Sequence, residues 1–106
     1  MIARIWHTDI DPDRAAEYES FAREISLPMF RQQQGFVGVL MVREGSRCRV
    51  ITVWRGPEDV AALDTSPSYK DTVARIIAKG FLCGDQKIEV MDAHLFASGA
   101  DSGTAN

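Results

Sequence analysis

The sequence predicts an α+β fold whose elements follow the order β-α-β-β-α-β. Short apolar segments alternate with stretches of helical spacing, and several of these segments are apolar on both faces, most clearly 36–42 and 50–54. A strand with one buried face would instead alternate apolar and polar residues. In an antiparallel sheet, one face then packs on the chain's own helices and the other needs cover from outside. A second copy of the chain is the simplest cover, so we expect a homodimer with a ligand cavity beneath the helices.

The first strand is expected from Ile2 to Asp9, followed by a helix that begins at Asp11-Pro12-Asp13. Asp11 can accept a backbone N–H, and proline suits the first helical position. Pro28 removes a backbone hydrogen bond, so the helix should bend or restart there. The apolar residues of this helical region recur at helical spacing: Ala15, Tyr18, Phe21, Ala22, Ile25 and Met29.

The middle of the chain predicts a hairpin over 35–44 and 47–55, followed by a second helical region in two pieces. Pro57 and Pro67 mark the two helix starts, and Gly80 suits the end. After a turn at Gly84-Asp85, a last strand is expected from Lys87 to Phe96. The weak strand–helix–strand symmetry of the two halves indicates a ferredoxin-like fold with a four-stranded antiparallel sheet. Residues 1–96 form one domain in this interpretation, and 97–106 form a disordered tail.

Composition limits the classes of function. The chain has 106 residues, 45% of them hydrophobic and 25% charged, as is ordinary for one globular domain. A net charge of −3 without a basic stripe argues against nucleic acid as a partner. No apolar run approaches the length of a membrane span, and the N-terminus lacks the pattern of a signal peptide, so a cytoplasmic protein is expected. Cys48 and Cys83 are expected as free thiols rather than as a disulfide or metal site.

His7 is the candidate catalytic residue. It shares a face of the first strand with Ala3 and Ile5, and we expect that face to point towards the helices. An imidazole in such a cavity can act as a general base or orient a substrate oxygen near neutral pH. The alternative is a histidine whose ring is satisfied by a backbone carbonyl or a neighbouring side chain.

Aromatic and aliphatic side chains on the predicted inner faces are candidates for substrate binding. Trp54 can form the wall for a planar ligand, and Tyr69 can place its hydroxyl in a cavity. The alternative is that they are ordinary core or helix residues without a ligand. The full set of candidates is Trp54, Tyr69, Leu63, Val73, Phe21, Ile25 and Phe36. A glycine-rich phosphate loop, a GxSxG motif and a metal-binding histidine pair are all absent from the sequence.

Several segments carry a resemblance to a known family. They are the Gly35-Phe36 entry to the second strand, Ile51 to Arg55 followed by Pro57-Glu58, and the run from Leu63 to Tyr69. With the order of elements, they make residues 1–96 resemble the antibiotic biosynthesis monooxygenase (ABM) family of the dimeric α+β barrel superfamily. The resemblance implies a homodimer in which two sheets face each other as a barrel, with the helices outside.

The same resemblance implies an activity. Members of the family include cofactor-free oxygenases that act on electron-rich phenols or quinols, and also haem-degrading enzymes. The haem-degrading pattern of Asn, Trp and a His ligand falls on His7, Leu63 and Val73 here. Valine cannot ligate iron, so haem is not expected. The cofactor-free branch implies no other cofactor, and without a suitable histidine pair no metal is expected. The expected function is therefore a cofactor-independent monooxygenase for a small electron-rich aromatic. The alternative is a non-catalytic domain of the same fold, for ligand binding or assembly.

Overall fold

The computed structural model describes residues 1–99 and contains a four-stranded antiparallel sheet in the order β2-β3-β1-β4. Its topology is the predicted ferredoxin-like arrangement, with the helices packed on one face of the sheet. The strands and helices are β1 (Ile2–Ile10), α1 (Ala15–Phe21), α2 (Leu27–Arg31), β2 (Phe36–Glu44), β3 (Arg47–Trp54), α3 (Pro57–Thr65), α4 (Pro67–Ala78) and β4 (Leu82–Asp92). No helix among the described residues is long and apolar enough to cross a bilayer.

The first helical region is interrupted, as Pro28 predicts. A π-helical turn, Ala22–Ser26, separates α1 from α2, and Pro28 lies in the first turn of α2. Proline has no N–H to donate to the carbonyl four residues earlier, at Glu24, and its ring crowds that carbonyl. The wider turn directly before Pro28 relieves this conflict while the helical direction continues.

The two faces of β1 are opposite to the expectation. Arg4, Trp6 and Thr8 face the helices, and Arg4 and Thr8 are each only 3% exposed. Ala3, Ile5 and His7 therefore lie on the other face of the sheet, which we call the open face. The prediction that His7 points towards the helices is wrong. Both faces of this strand carry apolar residues, and the polar ends of Arg4 and Thr8 are buried under the helices rather than in solvent.

The last strand also differs from its prediction. β4 begins at Leu82, five residues before Lys87, and it ends at Asp92 rather than at Phe96. Its start pairs with Asp9 and Ile10 across a shift in register, in which Gly84 adopts a φ of 70°. The expected Gly84 turn is therefore a bulge within a strand. The tail expected to be disordered lies outside the described residues from 100 onwards.

The core consists of two clusters beneath the helices, and Trp6 packs against both of them. One cluster surrounds Trp54, and the other surrounds Phe81. Trp54 and Phe81 are both fully buried. The space between the two clusters, above Trp6, is where the structure leaves a cavity.

Candidate functional site

A cavity of about 150 Å³ lies between the sheet and the helices. Strand β1 supplies Arg4 and Trp6 to its floor, and helix α4 supplies Tyr69 and Val73 to its wall. The π-helical turn contributes Ala22 and Ser26. A dry apolar cavity of about 150 Å³ is large enough for benzene. The volume therefore suits one aromatic ring.

Arg4 is the charged group of the cavity. Its Nη2 donates a hydrogen bond to the Tyr69 hydroxyl at 2.6 Å, and its guanidinium lies 5.1 Å from the centroid of the Tyr69 ring. The nearest carboxylate oxygen, on Asp64, is 3.8 Å from Nη2, and the Asp64 side chain is 59% exposed. Arg4 is thus a buried cation whose carboxylate partner lies largely in water.

Helix α4 fixes the position of Tyr69. The Ser66 hydroxyl accepts the Tyr69 backbone N–H at 3.4 Å, which caps the start of the helix. Thr72, one turn later, donates to the Ser68 carbonyl at 2.9 Å and faces the same cavity. The Tyr69 hydroxyl is therefore held at the cavity wall by a capped helix end.

The other titratable groups near the cavity are uncharged at neutral pH. Burial raises the pKa of the Tyr18 phenol above its usual range, and the adjacent Cys48 thiol adds to this effect. Burial likewise raises the pKa of the Cys48 thiol. Neither aspartate nor glutamate occurs among the described residues that line the cavity. The lining therefore carries a single formal charge, which is positive.

The substrate-binding candidates from the sequence are found in two kinds of place. Tyr69 and Val73 line the cavity. The other five are packed in the core and do not reach it: Trp54, Leu63 and Phe36 in the cluster around Trp54, and Phe21 and Ile25 in the cluster around Phe81. The Trp54 indole N–H is already bound to the Thr52 hydroxyl at 2.8 Å. Substrate contact by Tyr69 and Val73 stays a prediction.

His7 lies away from the cavity, on the open face. Its Nε2 is buried and lies 2.6 Å from the Glu89 Oε1 on the neighbouring strand β4. The nearest partner of this ring nitrogen is therefore a side chain of the open face and not a cavity residue. The expected role of His7 as the base in this cavity required the opposite orientation of β1, and His7 is not among the lining residues.

Arg4 and Trp6 line the cavity but are not in the set of site residues predicted from the sequence, where a ligand contact by either was weighed against a structural role. The signal was present, because Arg4 and Thr8 are polar residues on the otherwise apolar face that also holds Ile2 and Trp6. The argument used for His7 applies equally to this set.

Residues 1–99 contain no group of three or more His, Cys, Asp or Glu side chains placed to hold a metal ion.

Comparison with known proteins shows the fold. The chain matches no protein-family model and no curated protein sequence. Among solved structures, it is similar to Rv0793 from Mycobacterium tuberculosis, with 17% identity and a TM-score of 0.71 over 92% of this chain and 98% of that one. A crystal structure of an antibiotic biosynthesis monooxygenase has 18% identity and a TM-score of 0.71 over 88% and 98% of the two chains.

A third similar structure is SnoaB, a cofactor-independent oxygenase from Streptomyces nogalater. It has 17% identity and a TM-score of 0.71, and the match covers 90% of this chain and 94% of SnoaB. At these identities the likeness establishes a common fold and leaves activity undetermined. The resemblance to the ABM family drawn from the sequence is thus supported at the level of the fold.

Proposed function

We propose that this protein is a cofactor-independent monooxygenase that acts on a small electron-rich aromatic of the phenol or quinol type. The observation that carries the proposal is the cavity, which has the volume of one ring and lies between the sheet and the helices. The fold adds support, because SnoaB, a cofactor-independent oxygenase, shares it.

The proposed reaction uses the substrate as its only reductant. A phenol with a free para carbon gives up four electrons to O2 and becomes a para-quinone. One oxygen atom forms the new carbonyl, and the other leaves as water with the two hydrogens lost from the ring carbon and the hydroxyl. The phenolate form starts the reaction, since the anion is a far better electron donor than the neutral phenol.

The protein contributes surroundings rather than a redox group. Met29, Phe30 and Val73 on the helices and Trp6 on the sheet form apolar walls that exclude water from a bound ring. Holding the ring in one orientation and keeping water from the reactive intermediate are recognised contributions to rate. Within residues 1–99, the lining supplies no imidazole or carboxylate, so the substrate is expected to enter as the anion or to lose its proton to solvent at the cavity mouth.

Oxygen uptake tests the proposal. We expect protein in chelator-treated buffer to accelerate O2 consumption with at least one member of a panel of phenols that have a free para carbon, with one O2 used per quinone formed and no hydrogen peroxide released. Val73→Phe should abolish the acceleration by filling the cavity, whereas Ile77→Phe should not, because Ile77 is exposed on the same helix. If wild-type protein is no faster than buffer across the panel, or if Val73→Phe is as fast as wild type, the proposal is wrong.

The second candidate function is non-catalytic binding of a small molecule by the same cavity. The observation that favours it is the lack of a general base among the described lining residues. Saturable binding of aromatic ligands without any oxygen uptake would establish this function in place of the oxygenase.

We also propose that the working unit is a homodimer formed through the open face of the sheet. Leu40, Val42 and Met91 on this face are each more than two-fifths exposed in the single chain. A face-to-face sheet interface between two copies would bury them, as in a β-sandwich. The helices, and the cavity beneath them, stay on the outside of such a dimer.

A further inference from the structure

We propose that Arg4 and Tyr69 form a recognition site for an ionised oxygen, so that the cavity prefers one-ring aromatic anions, carboxylate or phenolate, over neutral molecules of the same shape. The inference concerns the same cavity as the proposed function and names the chemical class of its ligand. Its test measures binding rather than oxygen consumption, so each can fail without the other.

The first support is the incomplete pairing of the Arg4 guanidinium. The side chain is 4% exposed, yet its five N–H groups make one hydrogen bond within the described part of the chain, to the Tyr69 hydroxyl. Asp64, 3.8 Å away, is too distant for a hydrogen bond and is largely in water. A buried charge is costly unless it is paired and hydrogen-bonded, so an anion bound in the cavity would be held strongly.

The second support is that the polar groups beside Arg4 are donors. The Tyr69 oxygen accepts the hydrogen bond from Arg4, which leaves the hydroxyl proton available to a ligand. Trp6 also lines the cavity and carries one N–H donor on its indole ring. A cation together with hydroxyl and indole donors around a ring-sized space matches a ligand oxygen that carries negative charge.

The third support is the absence of opposing charge. The described residues of the lining include neither aspartate nor glutamate, and the Tyr18 phenol stays neutral because burial raises its pKa. An anion entering the cavity therefore meets attraction from Arg4 and no buried negative group. A neutral ring would leave the guanidinium with the largely exposed Asp64 carboxylate as its counterion.

Benzoate and benzamide make a matched pair of probes, because they share one shape and differ in charge. We expect the wild-type protein to bind benzoate about tenfold or more tightly than benzamide, as measured by calorimetry or tryptophan fluorescence. Arg4→Gln should reduce this ratio to near one. Arg47→Gln should leave the ratio unchanged, because Arg47 is an exposed arginine paired with Glu44 at the far end of β3.

Tyr69→Phe tests the contribution of the Tyr69 hydroxyl separately from that of the Arg4 charge. It removes the hydroxyl and keeps the cation, so benzoate should bind several-fold more weakly while it stays preferred over benzamide. A wild-type protein that binds both probes equally, or an Arg4→Gln variant that folds and keeps the preference, would overturn the proposal.

A second measurement needs no variant and covers the case in which Arg4→Gln fails to fold. The absorbance of 4-nitrophenol reports its ionisation, and a nearby buried cation favours the phenolate. We expect the bound phenol to ionise at a lower pH than the free phenol, by about one pH unit. Ionisation at the same or a higher pH than in buffer would contradict the proposal.

The two proposals give distinguishable results. Preference for benzoate without any oxygen uptake would support the anion site and reject the oxygenase. Oxygen uptake with equal affinity for benzoate and benzamide would support the oxygenase and reject the anion site.

Discussion

Burial raises the pKa of two weak acids beside the cavity, the Tyr18 phenol on helix α1 and the Cys48 thiol on strand β3. Arg4 is buried to a similar degree and supplies the charge of the lining. The site therefore combines two neutral acids with one cation.

The raised pKa values predict that the free energy of unfolding falls in alkaline solution. In the unfolded chain the Cys48 thiol ionises near its usual pKa of 9.0, whereas the folded chain holds the proton to higher pH. The stabilisation is complete below about pH 9 and is lost as the pH rises towards the folded pKa. Tyr18 adds the same effect from about pH 10. Each group contributes a slope of up to about 1.4 kcal/mol per pH unit.

Denaturant titrations between about pH 8 and pH 10.5 measure this slope. Cys48→Ala should remove its lower part, and Cys83→Ala should not, because the Cys83 thiol is exposed. Unfolding free energy that stays constant or rises over this range would contradict the assignment.

The orientation of β1 shows what single residues can and cannot reveal in advance. Ile2 and Trp6 make one face apolar, and Ala3 and Ile5 do the same for the other. Hydrophobicity alone therefore does not choose between the faces. The choice depends on Arg4, whose long side chain lies beneath the helices and ends at Tyr69, a contact between residues 65 positions apart. The local pattern of apolar and polar residues does not predict a contact between residues so far apart in the chain.

Among the elements, local chemistry predicted the starts of α3 at Pro57 and α4 at Pro67, whereas a 3-10 turn over Pro12–Arg14 comes before α1 at the first predicted start. It did not predict the form that the interruption of the first helical region takes. Pro28 predicts a bend or a restart of the helix. In the structure the interruption is a π-helical turn that directs Ala22 and Ser26 to the cavity. The early start of β4 was missed for a similar reason. Gly84 is typical of a turn in sequence, and only the pairing of Cys83 with Asp9 makes it a bulge.

The junction between α2 and β2 gives a sharp prediction at this scale. Gly35 has a φ of 74°, and a Cβ atom there would lie 2.0 Å from the Asp59 Cγ. Asp59 in turn accepts hydrogen bonds from the Gly56 backbone N–H at 3.1 Å and from the Gln34 side chain at 2.9 Å. Gly35→Ala should therefore strain the backbone, displace Asp59 and weaken the start of α3, at a total cost of about 3 kcal/mol or more.

Gly45→Ala is the matched control. Gly45 also has a positive φ, of 61°, but no atom lies within 4 Å of the added methyl group. This variant should lose about 1–2 kcal/mol, from the backbone conformation alone. Equal losses for the two variants in denaturant titrations would mean that Asp59 does not constrain Gly35.

At the scale of the whole molecule, the unpaired face of the sheet is the main feature left to explain. Phe96, in the segment after β4, lies against Gly38 and covers one end of the open face. Leu40, midway along the edge strand β2, is without cover on this face in the single chain. The sequence predicted that this face needs cover. Strands that bury both faces lose the alternation of apolar and polar residues, and several strands of this chain lack it.

Analytical ultracentrifugation tests the homodimer. We expect a dimer at micromolar concentration, with an interface above about 2,000 Å² in total. Leu40→Lys should shift the protein to monomer, because the new charge would be buried between the sheets. Ile77→Lys should remain dimeric, since Ile77 is similarly exposed, 54% against 59% for Leu40, but lies on the helical side. A wild-type monomer, or a Leu40→Lys variant as dimeric as wild type, would contradict this interface.

We expect ligands to bind in the cavity beneath the helices and not on the face that holds His7. The chain has two tryptophans, so a ¹⁵N-labelled sample gives one indole signal from Trp6 in the cavity and one from Trp54 in the closed core. Titration with hydroquinone under argon should move the Trp6 signal saturably and leave the Trp54 indole and the His7 imidazole signals in place. A saturable shift of the His7 signals with no change at Trp6 would place the site on the open face and contradict the account.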